Sequence, residues 1–268
     1  MKKKVRFYIL LILAAILVLT VCFGKYFAPF DPLETDFKAV LSGPDAIHLF
    51  GTDNLGRDLF SRVLHGAAGS FALTFLMIII VSAIGTLIGV VAGYFGGIFD
   101  TIIMRFTDIL LAFPDVVFAI AIVGMLGPGL INTVLALSLV WWTKYARMTR
   151  GLTAVISQKD FIAEAKFGGA SVPRIIFKYI LPNVLPQVVI MATVDVGGMM
   201  LSLAGLSFLG LSSQPPAPEW GYMLYEGKNY IQTAPWMIIF PGIAIFITVI
   251  IFNLLGDSLR DILDPKEV

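Results

Sequence analysis

Lys144-Tyr145-Ala146-Arg147-Met148-Thr149-Arg150, continued by Asp160-Phe161-Ile162-Ala163-Glu164-Ala165-Lys166-Phe167-Gly168-Gly169-Ala170-Ser171 and Ile180-Leu181-Pro182-Asn183, forms a charged island between two long apolar runs. A charged segment of this length in an otherwise apolar chain needs a purpose in water. Its spacing predicts two short helices that meet at Gly168-Gly169 and are closed by Leu181-Pro182. Such a pair is a docking element for another protein, presented by a membrane protein.

Outward from the island the chain reads as membrane. Of 268 residues, 58% are hydrophobic and 14% charged, with mean hydropathy +0.89. A soluble domain has about 45–50% apolar and about 25% charged residues. The fold class is therefore an all-α integral membrane protein. Net charge is +1, without the clustered basic face that nucleic-acid binding requires. Cys22, the single cysteine, lies in the first apolar run and has no intrachain partner.

A spanning helix needs about 20 mostly apolar residues. The N-terminus, Met1-Lys2-Lys3-Lys4-Val5-Arg6 and then an apolar run over 7–24, resembles a signal peptide at first sight. No small-x-small cleavage site follows, and the run exceeds the roughly 7–15 residues of a signal core, so it reads as an uncleaved anchor. Further spans are expected over 71–95, 102–127, 130–143, 183–211 and 236–256, with Gly127-Pro128-Gly129 separating the third from the fourth. Lysine and arginine concentrate on cytoplasmic flanks. About six spans put both termini on one side, and only Lys25, Lys38, Arg57, Arg62 and Lys228 fall on the other. Both termini and the island are expected in the cytoplasm. The resulting organisation is an N-terminal helix (1–28), an external segment (29–70) and a five-helix core (71–268) carrying the cytoplasmic loop at about 147–182.

The external segment contains Gly51-Thr52-Asp53-Asn54-Leu55-Gly56-Arg57-Asp58-Leu59-Phe60-Ser61-Arg62. Asp53 suits the N-cap of an amphipathic helix lying in the membrane interface. A second external stretch, 212–235, is rich in proline and aromatics. Trp220, Tyr222, Tyr225, Tyr230 and Trp236 read there as interfacial anchors.

Taken in order, seven stretches resemble the permease subunits of the dipeptide, oligopeptide and nickel group of ABC importers. They are Gly51-Thr52-Asp53-Asn54-Leu55-Gly56-Arg57-Asp58, Tyr145-Ala146-Arg147, Gly169-Ala170-Ser171, Ile180-Leu181-Pro182-Asn183, Leu206-Ser207-Phe208-Leu209-Gly210-Leu211, Pro218-Glu219-Trp220-Gly221 and Phe252-Asn253-Leu254-Leu255-Gly256-Asp257-Ser258-Leu259-Arg260-Asp261. The resemblance implies a pore shared with a second, homologous permease, two cytoplasmic ATPases and an extracytoplasmic binding protein. The chain has no G-x-x-x-x-G-K-[ST] loop, so ATP and magnesium are expected on the ATPases, and this subunit is expected to bind no cofactor and catalyse nothing itself. The family's coupling segment has Glu-Ala-Ala, then a glycine, then Leu-Pro twelve residues on; Gly169 to Leu181 keeps that interval. Ala163 stands where the glutamate is expected and Glu164 follows it, a shift of about 100° around a helix. Ala165, Gly168, Ala170, Ser171 and Pro182 complete the expected ATPase-coupling loop.

Ionisable groups within spans are functional candidates. Asp115, about 15 Å beyond Arg105, and Asp195, about 18 Å beyond Asn183 at 1.5 Å per residue, read as near the middle of the bilayer. Met199 and Met200 follow within about a turn. These four make a candidate translocation path: carboxylates suit a hydrated cation and thioethers a softer metal. Each has a structural alternative. Asp115 can cap a helix restarting after Pro114, Asp195 can bond to Thr193, Ser202 or the partner permease, and the methionines can be packing. Asp108 is expected to pair locally with Arg105. His48 and His65 read as surface groups, and no set of residues has metal-site spacing. Gly197-Gly198 and Gly205 suit close approach of the partner permease or a pore lining. Gly85, Gly89 and Gly93 suit packing alone.

Peptide-type permeases usually carry an acidic residue three places before Leu-Ser-Phe-Leu-Gly, where this chain has Leu203. That residue, Val194-Asp195-Val196-Gly197-Gly198-Met199-Met200 and the displaced glutamate favour nickel or a nickel chelate, with di- or oligopeptides as the alternative. A proton- or sodium-coupled carrier would need an ionisable relay and broken helices in matched halves. A membrane enzyme would need a nucleophile and base. The sequence offers neither.

Overall fold

The computed structural model describes residues 2–212 and 215–263, and among these the chain is helical with no strands. Ten α-helices follow in order: α1 (Lys2–Phe23), α2 (Leu59–Phe95), α3 (Gly97–Leu111), α4 (Asp115–Leu126), α5 (Leu130–Ile156), α6 (Asp160–Phe167), α7 (Val172–Ile175), α8 (Leu181–Phe208), α9 (Trp220–Gly227) and α10 (Trp236–Leu263). Four helical stretches are long and apolar enough to cross a membrane, five if α3 and α4 count as one bent span. The fourth expected span, 130–143, is the first half of α5, a 27-residue helix whose second half carries Lys144, Arg147 and Arg150.

α2 does not start where the sequence suggests. No amphipathic helix opens at Asp53. Asp58 is the N-cap, its carboxylate accepting from the Ser61 N–H at 2.7 Å, and α2 runs unbroken for 37 residues. That is about 55 Å against a hydrocarbon core of about 30 Å, longer than one crossing needs. Gly85, Gly89 and Gly93 lay α2 directly on α5, as expected. A Cβ at Gly89 would lie 2.1 Å from Thr149 Oγ1 and 2.2 Å from the Ala146 carbonyl.

The third expected span is broken. α3 and α4 are bent by 88° around Ala112-Phe113-Pro114, where proline bars the preceding residue from helical geometry. Asp115 therefore opens α4, its Oδ1 accepting from the Val116 N–H at 2.9 Å, and the 15 Å depth inferred from a straight helix does not hold. Asp108 pairs with Arg147 of α5 at 2.5 Å, not with Arg105. Asp100 of α3 pairs with Arg150 through its Nε and Nη2.

The main apolar core lies between α2, α5, α8 and α10, around Met77, Val81, Leu137, Tyr145, Met199 and Leu206. α1 is a peripheral helix that touches α10 through Leu10, Ala14 and Leu255. Gly197 and Gly198 serve this chain's own packing rather than a partner's: added Cβ atoms would meet Asn253 at 2.8 Å and Trp141 at 3.0 Å. Of these three glycines, Gly205 alone faces open space.

Candidate functional site

The charged island resolves into an exposed elbow. α6 is anchored by Ile162 and α7 by Ile175, both buried. Between them Gly169 has φ +77°. The Gly169 N–H donates to the Lys166 carbonyl at 3.0 Å and the Ala170 N–H to the Ala165 carbonyl at 3.0 Å. These are the paired bonds of a glycine-terminated helix end. Ala163, Glu164 and Gly168 are exposed, Ala165 and Ala170 half-buried, and Ser171 precedes α7 without a side-chain cap bond. Glu164 is thus free to face a partner although it stands one place from the family's position. Phe167, at the tip, is 92% exposed, a large apolar surface that the sequence reading passed over.

Leu181-Pro182 does not close this element. α7 passes through a π-helical stretch, Ile176–Ile180, straight into α8. Pro182 has no N–H to donate and its ring crowds the carbonyl four residues back. The chain widens there, and the Leu181 N–H reaches the Ile176 carbonyl instead. Ser171 to Phe208 is in effect one rod with an elbow at its end.

On the opposite side of the molecule the Gly51–Asp58 motif is a buried ionic knot. Thr52, Asp53, Arg57, Asp58 and Arg62 are all at most 3% exposed. Asp53 binds Arg57 Nε at 2.6 Å. Glu226, the last-turn carboxylate of α9, holds Arg57 at 2.7 Å and Arg62 at 2.6 Å. Burial acts against the Arg57 charge, but the carboxylates of Asp53 and Glu226 outweigh it and hold its pKa above the ordinary arginine value. Gly51 and Gly56 take φ +73° and +74°, and a Cβ at Gly56 would lie 1.8 Å from the Asp36 carbonyl. His48 Nδ1 lies 2.9 Å from Asp58. Trp220 and Tyr222 are buried rather than interfacial. The Trp220 indole donates to the Val63 carbonyl at 2.9 Å, and Glu219 caps α9 through the Gly221 and Tyr222 N–H groups.

The candidate path residues do not converge. Asp115 lies at the α3–α4 bend. Met199 and Met200 are buried in the core at 0% and 2% exposure, where they pack. Asp195 borders a cavity shared with Gln187, which the sequence reading did not single out, and with Asp257 and Arg260 of the last family stretch. Among the described residues no cluster of metal-binding side chains forms.

Residues 85–267 match the family of binding-protein-dependent transport system inner membrane components. The glutathione transport system permease protein GsiD of Escherichia coli O6:K15:H31 (strain 536 / UPEC) is 46% identical over 97% of this chain and 84% of its own length. The dipeptide transport system permease protein DppC of Alkalihalophilus pseudofirmus is 42% identical over 96% of this chain and 84% of its own. A structure described as inward-facing conformations of the MetNI methionine ABC transporter superposes with a TM-score of 0.58 at 20% identity. The match spans 75% of this chain and 96% of that one, a likeness of fold alone. The chain is a multi-pass, inner-membrane ABC permease subunit and belongs to the binding-protein-dependent transport system inner membrane component family.

Proposed function

We propose that this chain is one half of the translocation pore of an importer for small peptides of dipeptide or glutathione size. A second permease completes the pore, two ATPases dock on the elbow around Gly169, and a binding protein delivers cargo to the side of the ionic knot. The termini and the elbow lie in the cytoplasm in this reading, and the residue 1–28, 29–70 and 71–268 segments keep the roles given them above. The observation that carries it is similarity along nearly the whole chain to permeases named for glutathione and dipeptide transport.

The nickel reading gives way to it. Two of its signals, Leu203 and the Met199-Met200 pair, are core side chains at 2%, 0% and 2% exposure, which report packing and not cargo. Proteoliposomes holding the complete complex, given its binding protein, internal ATP and separately labelled glutathione, alanyl-alanine and nickel, test the proposal. Saturable, ATP-dependent uptake of either peptide without nickel is the expected result. Nickel uptake alone would overturn it.

A further inference from the structure

α5, α8 and α10 leave a cavity of about 270 Å³, bordered by Met148, Gln187, Asp195, Asp257 and Arg260. Its back is closed where Gly256 of α10 meets α8 so tightly that a Cβ would fall 2.4 Å from Val194 Cγ2. Asp195 Oδ2 is buried in the wall. Beside it the Tyr145 hydroxyl, wholly buried on α5, is the donor that reaches this carboxylate. Lys144 is the cation whose field reaches Asp195, yet its ammonium sits over the Trp141 ring at 3.7 Å and forms no ion pair with the carboxylate. Asp257 and Arg260 are exposed at the mouth and make no ion pair among the described residues.

A buried polar group left without a partner is destabilising, and an ionised carboxylate only accepts hydrogen bonds. The Tyr145 hydroxyl fills one of its roughly four acceptor positions, and a cationic donor gives the strongest further bond. The mouth adds a guanidinium for an anion and a second carboxylate. Charges of both signs around one space match a zwitterion and disfavour a bare cation. The volume is just under the roughly 300–1,000 Å³ of pockets that hold drug-sized ligands, enough for an amino acid or a dipeptide and too small for an oligopeptide.

We propose that this cavity binds the ammonium end of a small zwitterionic peptide, with Asp195 as acceptor and Arg260 toward the carboxylate, entered from the end of α10 nearest the C-terminus. The ligand class rests on the peptide-import reading, whereas the site rests on the cavity. Calorimetry on the nucleotide-free complex with its partner permease and ATPases, without binding protein, is the test. Alanyl-alanine is expected to bind saturably, N-acetyl-alanyl-alanine at least tenfold more weakly, and Asp195→Asn to weaken alanyl-alanine at least tenfold. Arg260→Gln is expected to weaken alanyl-alanine but not alanyl-alanine amide. If Asp195→Asn does not assemble, Asp257→Asn at the exposed mouth is expected to lower affinity severalfold. Equal binding of the acetylated peptide, or unchanged binding by both aspartate variants, overturns the site. Uptake by the same complex separates the two readings: peptide uptake without saturable binding removes the cavity and leaves the importer, while binding without any peptide uptake does the reverse.

Discussion

Arg57 and Arg62 carry two positive charges into a part of the protein that water does not reach, and Glu226 answers both with its two oxygens. Removing one member of such a buried set leaves uncompensated charge, which costs about 3–5 kcal/mol. Glu226→Ala is expected to lower the thermal midpoint of the detergent-solubilised protein sharply and to expose residues 28–58 to protease. Glu226→Gln, which keeps one acceptor oxygen, should lie between. Thermal unfolding with limited proteolysis reads both, and an unchanged midpoint for the alanine variant removes the knot's stabilising role. The Asp53 and Arg57 half of the knot was visible as a motif. Glu226 was not, since it stands 164 residues from Arg62 and nothing local marks a last-turn glutamate as the partner of a distant arginine.

At the level of elements, the elbow depends on Gly169. Its φ of +77° suits glycine, and a Cβ there would meet nothing within 4 Å, so any penalty for substitution is backbone strain alone. That strain is about 1–2 kcal/mol for an ordinary side chain in this region and is felt only at the turn. Gly169→Val is expected to insert normally but to lose co-purifying ATPases and at least tenfold in uptake, while Gly169→Asn, better tolerated in this conformation, retains most of both. Full ATPase retention by the valine variant would falsify the docking assignment. The sequence marked this turn through Gly168-Gly169 and mistook Leu181-Pro182 for its far boundary. A proline ends a helix only when the backbone cannot widen around it, and the π-helical stretch before it does widen.

Across the molecule, the long apolar runs and glycine ladder were readable because both follow from short-range periodicity. The α3–α4 bend was half readable. Pro114 marks a break, but its 88° size is set by how α4 packs on α5, which no local pattern encodes. The ladder supports the clearest global prediction. Gly89→Leu forces a branched side chain into backbone and Thr149, so folded protein recovered by size-exclusion chromatography is expected to fall severalfold, whereas Gly124→Leu, in open space, changes recovery little. Equal recovery of the two would contradict α2–α5 contact as the centre of assembly.

The helical stretch Val172–Phe208, 37 residues long and about 55 Å from end to end, continues through a π-helical segment and Pro186 as a single lever. Turned by about 10° around its midpoint, a rod of that length carries each tip through about 5 Å. In the proposed docking role, motion applied at the elbow would swing the far tip of this rod by a like distance in the opposite direction.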